Sequence, residues 1–113
     1  MAETGYIPEC GDIVWLTFSP QAGREQAGRR PALVLSPREY NTATSLMIAC
    51  PVTSHQKGYP FEVELPQGSS IQGIVLTDHI KSVDWRARNV VFVEKTSDGV
   101  IEQVAEYIAR LLP

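Results

Sequence analysis

The hydrophobic positions of the chain form short runs of the kind found in β-strands. Apolar runs predict strands at residues 12–18, 31–36, 46–50, 61–65, 73–77, 80–83 and 89–94. The first run is rich in β-branched and aromatic residues, and the run at 61–65 alternates apolar and polar residues, which leaves one strand face in water. Strands at this spacing, with Gly and Pro between them, predict a small antiparallel barrel or sandwich.

The C-terminal segment has a helical pattern instead. Apolar residues recur there every three or four positions, at Val100, Val104, Tyr107, Ile108 and Leu111. This spacing predicts one amphipathic helix that packs against the barrel or against a partner chain. Ser97 or Asp98 is predicted to accept a hydrogen bond from the free N–H groups at its start.

Polar segments separate the predicted strands. Residues 19–30 and 51–58 are predicted to be long exposed loops, and residues 67–72 a shorter one. Residues 37–42 predict a turn or a single helical turn. Each of the two long loops borders a buried strand, so their polar side chains are held at the edge of a rigid element.

Length and composition bound the kind of protein. The 113 residues, 43% of them hydrophobic, fit one globular domain covering 1–113. No apolar run approaches the roughly 20 residues that a membrane span needs. The first nine residues carry no basic residue, which argues against a signal peptide. Cys10 and Cys50 suggest neither a disulfide framework nor a metal site, so a cytoplasmic location is expected.

The charge is unevenly distributed. The formal net charge is −3, which taken alone argues against a nucleic-acid partner. Between residues 24 and 38, however, four arginines stand against the single acid Glu25. One face of an acidic protein can therefore be basic, and phosphate groups respond to that local field.

The candidate chemistry needs no cofactor. His55 and His79 lack partners at metal-ligand spacing, and the sequence has no phosphate-binding glycine motif and no nucleophile elbow. RNA can be cleaved without a metal when its own 2′-OH attacks the adjacent phosphate. Arginine suits the stabilisation of the resulting anionic phosphorane, and a hydroxyl such as that of Thr53 can donate to the same oxygens.

The residues alone leave other interpretations open. An Arg-Arg-Pro sequence before a strand is usually a solvated loop end, and Thr53 and Ser54 are common turn formers. His55 in a polar loop is usually solvated, and Trp15 more often belongs to a core or an interface. On chemistry alone, a nuclease is one hypothesis among several.

Four sequence blocks resemble those of a known family. Residues 11–15 (GDIVW), 25–37 (EQAGRRPALVLSP), 57–63 (KGYPFEV) and 81–88 (KSVDWRAR) occur in the order and at the spacing of the MazF (PemK/Kid-like) toxins of type II toxin–antitoxin systems. The resemblance implies a mainly β fold with a C-terminal helix, an SH3-like antiparallel barrel shared with Kid and the gyrase poison CcdB.

The same resemblance implies an activity and partners. The expected protein is a homodimeric, sequence-specific and ribosome-independent endoribonuclease that cleaves single-stranded RNA and so inhibits translation. Cleavage would leave 2′,3′-cyclic phosphate and 5′-OH ends, with no cofactor and no metal. The expected inhibitor is a MazE-like antitoxin with an acidic, disordered C-terminal tail that competes with RNA.

Residue roles follow from the matched positions. Arg30 corresponds to the family's catalytic arginine, which stabilises the transition state and can act as general acid. Thr53 corresponds to the catalytic threonine, and Glu25 to an acid that serves as base or loop organiser. The expected RNA-binding residues are Arg24, Arg29, Thr17, Ser54, His55, Gln56, Lys57, Lys81 and Arg86.

Two positions depart from the family pattern. Arg29 stands where relatives carry His, and Thr17-Phe18-Ser19-Pro20 replaces an Asp-Phe-Asp-Pro run. Our hypothesis is that these changes affect base preference or RNA affinity and not cleavage itself. The alternatives are a gyrase poison on the same fold, which has no need of the Arg30 and Thr53 pair, and a non-catalytic adaptor or decayed toxin.

Overall fold

The computed structural model describes residues 5–18 and 28–112 of the chain. Within them the strands are β1 (Asp12–Phe18), β2 (Gly28–Val34), β3 (Leu46–Thr53), β4 (Glu62–Glu64), β5 (Ile74–Leu76), β6 (Lys81–Asp84) and β7 (Val91–Lys95). The helices are α1 (Arg38–Thr44) and α2 (Asp98–Leu111), and a single 3-10 turn spans Thr77–His79.

The strands pair antiparallel in the order β4-β5-β3-β2-β1-β7, and β6 pairs with β3 beside this path. Strand β3 is therefore the branch point of the sheet. Its first half pairs with β6, from Leu46 opposite Asp84 to Ala49 opposite Lys81. Its last two residues pair with β5 instead. The predicted fold class, antiparallel β with a C-terminal helix, is confirmed.

Alternation along the strands divides the core in two. Residues on one face form a first cluster, which consists of Val14, Leu16, Phe18, Ala32, Val34, Met47, Ala49, Val83, Trp85 and Val90. The opposite face forms a second cluster, which consists of Ile13, Leu33, Cys50, Val52, Val63, Leu65, Val75, Val100 and Val104. Because Val100 and Val104 belong to α2, this helix covers the second face.

Helix α2 follows the predicted apolar stripe. Val100 and Val104 are buried, and Tyr107 and Ile108 pack half-buried on the second cluster. Ser97 occupies the N-cap position, but its side chain makes no capping hydrogen bond, so the expected cap is wrong in that respect. Neither helix in the part of the chain that the structure describes is long and apolar enough to cross a membrane.

The strand ends differ from the prediction where the sequence turns polar. Strand β1 has the predicted bounds, but β2 begins at Gly28 and not at Pro31, and β3 continues to Thr53 and not to Cys50. Residues 28–30 and 51–53 had been assigned to loops because they lack an apolar run. They are strands because residues 28–30 pair with β1, Pro51 pairs with Ala32 of β2, and Val52 and Thr53 pair with β5.

The remaining differences are small. Residues 38–44 form a full short helix where a turn or one helical turn was predicted, and residue 77 lies in the 3-10 turn and not in a strand. The other strand ends move by one or two residues, which is the usual uncertainty of strand boundaries. Residues 19–27, the rest of the first predicted loop, lie outside the described residues.

A buried asparagine joins the N-terminal segment to the sheet. Asn41 of α1 is fully buried, and its Nδ2 donates to the carbonyl oxygens of Pro8 (2.7 Å) and Ser36 (3.1 Å). Its Oδ1 accepts from Ser36 Oγ at 2.6 Å, and its backbone carbonyl accepts from Trp85 Nε1 at 3.0 Å. The Ser36 hydroxyl in turn accepts from the Ile48 amide. The hydrogen bonds of Asn41 and Ser36 thus connect the segments that carry Pro8, Ser36, Ile48 and Trp85.

We expect Asn41→Ala to lower the free energy of unfolding by about 3 kcal/mol, because it leaves buried partners unsatisfied and opens a small cavity. Urea unfolding measures the change. Glu39→Ala, an exposed change on the same helix, is the control and should shift the free energy by less than about 0.5 kcal/mol. A loss below 1 kcal/mol for Asn41→Ala would contradict this view of the network.

Two groups of the fold resist deprotonation. Burial raises the pKa of the Cys50 thiol from 9.0 to about 12, and the charge of Asp78 acts in the same direction. Burial, followed by the hydrogen bond to Asp12, raises the pKa of Tyr6. Both groups therefore bind their protons more tightly in the folded than in the unfolded chain.

The contribution of Cys50 to stability is fully present below pH 9 and is lost as the pH rises from 9 towards 12, and that of Tyr6 is lost from about pH 10 upwards. We expect the free energy of unfolding to fall there by up to about 1.4 kcal/mol per pH unit for each group. Cys50→Ala should flatten this dependence, as measured by urea unfolding at several pH values. Val75→Ala, a truncation in the same core cluster, should lower stability without changing the slope. Equal slopes in the two variants would refute the assignment to Cys50.

Candidate functional site

Strands β2 and β3 separate at two prolines. Their antiparallel ladder pairs Val34 with Ala49, Leu33 with Cys50 and Ala32 with Pro51. The next pair in this register would involve Pro31, and neither Pro31 nor Pro51 has an N–H to donate. Beyond this point β2 remains paired with β1 and the end of β3 pairs with β5. The two strands thus form a fork.

A cleft of about 320 Å³ occupies the fork. One wall comes from β1 and β2, a second from the end of β3, and a third from the segment before β5. The lining residues are Trp15, Arg29, Arg30, Pro31, Val52, Thr53, Ser54, Ser70, Ile71 and Gln72. Rigid strands carry most of these residues, which is how a binding site keeps its geometry.

Arg30 and Thr53 both line the cleft beyond the last β2–β3 pair. Because side chains alternate along a strand, Arg30 shares the face of Ala32, and Thr53 shares the face of Pro51. The two side chains therefore belong to two walls of the same cleft, although they are 23 residues apart in sequence.

Arg29 is held next to this pair. Its Nη1 donates to Thr17 Oγ1 at 3.2 Å, and its Nη2 donates to the Asn89 carbonyl at 3.0 Å. Thr17 is also its direct partner in the β1–β2 ladder. The two departures from the family pattern noted above, at positions 17 and 29, therefore contact each other and form one unit. The chain orients this guanidinium before any ligand arrives.

Thr53 ends β3 with its hydroxyl in the cleft wall. The residue is 5% exposed, and its Oγ1 accepts a hydrogen bond from the backbone N–H of His55 at 3.2 Å. A hydroxyl has one proton to donate in addition to its two lone pairs. With one lone pair used by the backbone, its O–H remains a donor for an oxygen of a ligand.

The segment after β3 begins in the cleft and leaves it. Ser54 lines the cleft, and His55, Gln56 and Lys57 follow it on the exposed surface. The backbone N–H groups of Lys57 and Gly58 donate to the Glu62 carboxylate, both at 3.3 Å. This tether fixes the far end of the segment at the start of β4.

The third wall was not predicted from the sequence. Ser70, Ile71 and Gln72 had been assigned to a loop without a role, and no motif marks them. Ser70 donates its backbone N–H to both carboxylate oxygens of Glu94, at 2.9 and 3.1 Å, so β7 holds the segment in place. Only the pairing of β3 with β5 brings this wall to Thr53, and such long-range pairing leaves no local signal.

Lys81 and Arg86, two other expected residues, are not part of the cleft lining. The Lys81 ammonium lies 5.2 Å from the centre of the Phe18 ring, on the face of the first core cluster. Arg86 donates from Nε to Ser45 Oγ at 2.9 Å and stacks on Trp85. Ser45 precedes β3, whose eight residues span roughly 23 Å, so Arg86 lies at the opposite end of the strand from Thr53. Arg24 and Glu25 lie outside the described residues.

The cleft has a positive local field in an acidic chain. None of its described lining residues is acidic, and Arg29 and Arg30 are both cationic. Cys50 lies three residues from Thr53, but burial and a raised pKa make its thiol unsuitable as a nucleophile. Within residues 5–18 and 28–112, no three His, Cys, Asp or Glu side chains come together as a metal site requires.

The arrangement suits an anionic group that gains charge during a reaction. A guanidinium grips two phosphate oxygens in a fixed plane, and a hydroxyl on the opposite wall donates to a third position. Donors that are oriented in advance stabilise a transition state without reorganising when the reaction occurs. Phosphoryl chemistry on a ligand that brings its own nucleophile fits this site.

The chain is similar to known proteins. Residues 9–112 match the family model described as PemK-like, MazF-like toxin of type II toxin–antitoxin system. The endoribonuclease toxin MazF of Escherichia coli strain K12 is 51% identical over 83 residues, which cover 74% of each chain.

Solved structures from Deinococcus radiodurans are also similar. A crystal structure of MazF superposes with a TM-score of 0.91 at 53% identity and covers 95% of this chain and 97% of that one. In a crystal structure of MazE–MazF from the same organism, the matched chain has a TM-score of 0.86 at 51% identity, with coverages of 95% and 97%.

Proposed function

The chain belongs to the PemK-like, MazF-like toxins of type II toxin–antitoxin systems, and we propose that Arg30 and Thr53 cleave single-stranded RNA in the cleft between β2 and β3. The protein is an endoribonuclease toxin. The proposal concerns how it cuts, which residues do so, and in what assembly.

One observation carries the proposal. Arg30 and Thr53 line two walls of one cleft at the fork of β2 and β3, and the described lining of that cleft holds no acid. A scissile phosphate between those walls would meet Arg30 on one side and Thr53 on the other. Both residues lie in or beside strands, so their positions do not depend on loop closure.

The proposed reaction uses the nucleophile of the substrate. The 2′-oxygen of RNA forms a bond to the adjacent phosphorus while the bond from phosphorus to the 5′-oxygen breaks. The 2′-OH proton passes to a base, and the 5′-oxygen takes up a proton as it leaves. The products are a 2′,3′-cyclic phosphate and a 5′-OH, and the step requires no metal or cofactor.

We assign roles by contact with the phosphate. We propose that Arg30 stabilises the charge on the phosphorane oxygens and also protonates the leaving oxygen. Thr53 donates a hydrogen bond to a non-bridging oxygen. Glu25 remains the candidate base or loop organiser. Arg29, Thr17, Ser54, His55, Gln56 and Lys57 are proposed to contact the RNA on either side of the cut, and Lys81 and Arg86 to contact it farther away.

The gyrase-poison alternative is not favoured. Curated relatives that match this chain carry the name endoribonuclease, including MazF of E. coli. A protein-binding toxin also has no need for an arginine and a threonine that line one cleft. A non-catalytic adaptor is disfavoured for the same reason.

We expect the purified protein to cut a long single-stranded RNA at discrete positions in excess chelator. Arg30→Ala should lower the cleavage rate by about 10²- to 10³-fold, because it removes the main charge-stabilising group. Thr53→Ala should lower the rate by roughly tenfold or more, because it removes one oriented donor. Mapping of the fragment ends, with detection of cyclic phosphates, measures both the reaction type and the sequence preference.

The control for charge is Arg38→Ala. Arg38 is an exposed arginine on α1 that pairs with Glu9 at 2.8 Å, away from the cleft, and its loss should leave cleavage unchanged. Wild-type cleavage by Arg30→Ala would refute the assigned role. Absence of cleavage by the folded wild-type protein would refute the nuclease, and a DNA supercoiling assay would then test the gyrase reading.

An antitoxin is the protein partner of this toxin. MazF of D. radiodurans forms a complex with MazE. We propose that the antitoxin of this chain inserts an acidic, disordered C-terminal tail into the same cleft, and the positive field around Arg29 and Arg30 supports that choice. Both partners work in the cytoplasm, where the RNA substrate is found.

Tail and RNA should therefore compete. We expect the cognate tail peptide to displace fluorescent RNA whose 2′-oxygens are methylated and which consequently binds without being cut. The apparent dissociation constant of the RNA should rise in proportion to the peptide concentration. A peptide with its acids replaced by amides should displace RNA at least tenfold less well. Simultaneous full-strength binding of tail and RNA would contradict the proposal.

We further propose a homodimer with the RNA along a groove at its interface. Large apolar side chains are exposed on the described surface, including Val91 and Phe92 on β7, and a second copy would remove such surface from water. Light scattering should give the mass of two chains at micromolar concentration. A monomer mass in an active sample would contradict this assembly.

A further inference from the structure

Strand β5 begins closer to β3 than a side chain would permit. A Cβ atom built on Gly73 would lie 2.7 Å from the carbonyl oxygen of Thr53 and 2.8 Å from Cγ1 of Val52. Real Cβ atoms do not approach other atoms within 3.0 Å. The backbone of Gly73 does not have a positive φ, so the need for glycine here is one of space and not of conformation.

Hydrogen bonds and strand pairing hold both Gly73 and Thr53 in place at this contact. The carbonyl of Gly73 accepts a hydrogen bond from the Leu65 N–H at 2.9 Å, which holds it towards β4. Thr53 pairs with Ile74, the next residue of the chain, in the β3–β5 ladder. A methyl group at position 73 would consequently push on the backbone of Thr53 itself.

The displaced backbone carries the hydroxyl proposed to act on RNA. Gly73 also directly follows Ser70, Ile71 and Gln72, which form the third wall of the cleft. Movement of either partner changes the distance between that wall and Thr53. Misplacement of a reacting group by about 1 Å costs on the order of 100-fold in rate, so a shift of a few tenths of an ångström is large enough to measure.

We infer that Gly73 is a positioning residue of the nuclease site, whose missing side chain lets β5 set the place of the Thr53 hydroxyl. The inference rests on the proposed function of Thr53. It adds to that function a residue that does not touch the substrate and that no motif of the sequence singles out.

The test compares two glycine-to-alanine changes. Gly73→Ala introduces the clash, whereas Gly99→Ala adds a methyl whose nearest neighbour is Ser97 Oγ at 4.0 Å, also without a positive φ. We expect Gly73→Ala to lower kcat for RNA cleavage by roughly tenfold or more, with KM changed less than threefold. Gly99→Ala should leave both constants unchanged.

A double-mutant cycle with Thr53→Ala separates positioning from general damage. If Gly73 acts through the Thr53 hydroxyl, Gly73→Ala should lower kcat less than twofold once that hydroxyl is gone. Equal losses in the presence and absence of the hydroxyl would overturn the inference, and so would a wild-type kcat in Gly73→Ala. If Gly73→Ala does not fold, the double-mutant cycle with Thr53→Ala is measured in a Val52→Ala background. Val52→Ala removes one of the two close contacts of the added methyl group.

A second readout does not depend on cleavage. The methyl NMR resonance of Thr53 should shift in Gly73→Ala and stay in place in Gly99→Ala. An unmoved resonance would refute the positioning role, whatever the activity. If the resonance moves but Thr53→Ala cleaves RNA at the wild-type rate, the catalytic role of Thr53 fails instead, and with it the claim that Gly73 serves this reaction.

Discussion

The separation of β2 from β3 at two prolines is the constraint on which the rest of the structure depends. The three pairs before it, from Val34 to Ala32, send alternate side chains into the two core clusters. A slip of one residue in this ladder would exchange the faces and bury the wrong set. The same two strands that build both cores also carry Arg30 and Thr53 into the cleft where the ladder stops. Core and site are therefore specified together.

The acids of the chain explain how an overall negative protein keeps a positive cleft. Several of them are engaged in holding segments in place around the sheet. Glu62 binds the backbone after β3, Glu94 binds the backbone before β5, and Asp12 pairs with Lys95 at 2.8 Å. Glu62 and Glu94 hold segments that border the cleft and do not line it. The charged residues of its described lining are arginines, so the local field is positive. The net charge of the chain argued against a nucleic-acid partner, but the binding of an anionic ligand depends on the local charge of the cleft.

Sequence patterns predicted burial well and backbone pairing poorly. The bounds of strand β1 were predicted to the residue because most of its residues are apolar. The ends of β2 and β3 were assigned to loops, although residues 28–30 and 51–53 are paired strands. Hydrophobic periodicity detects apolar runs, whereas a strand without such a run is held by hydrogen bonds to a distant partner. The error fell on the segments that carry Arg30 and Thr53, because proline and polar residues interrupt the apolar pattern there.

The site itself was predictable only where the chain resembles a family. Arg30 and Thr53 follow from positions matched to the family, but nothing local indicates that Ser70 to Gln72 complete the cleft or that Arg86 lies at the far end of β3.

The contact between Thr17 and Arg29 was also not predictable from local sequence. Each departs from the family pattern, and considered separately each looks like a neutral loop change. Thr17 and Arg29 are ladder partners joined by a hydrogen bond. The replacement of the acid by Thr17 and of the histidine by Arg29 is therefore best regarded as a single change of an interacting pair. Such a pair keeps a donor and an acceptor beside the cleft while changing the charge they present, which is why base preference or RNA affinity, and not the cleavage chemistry, is the property expected to differ.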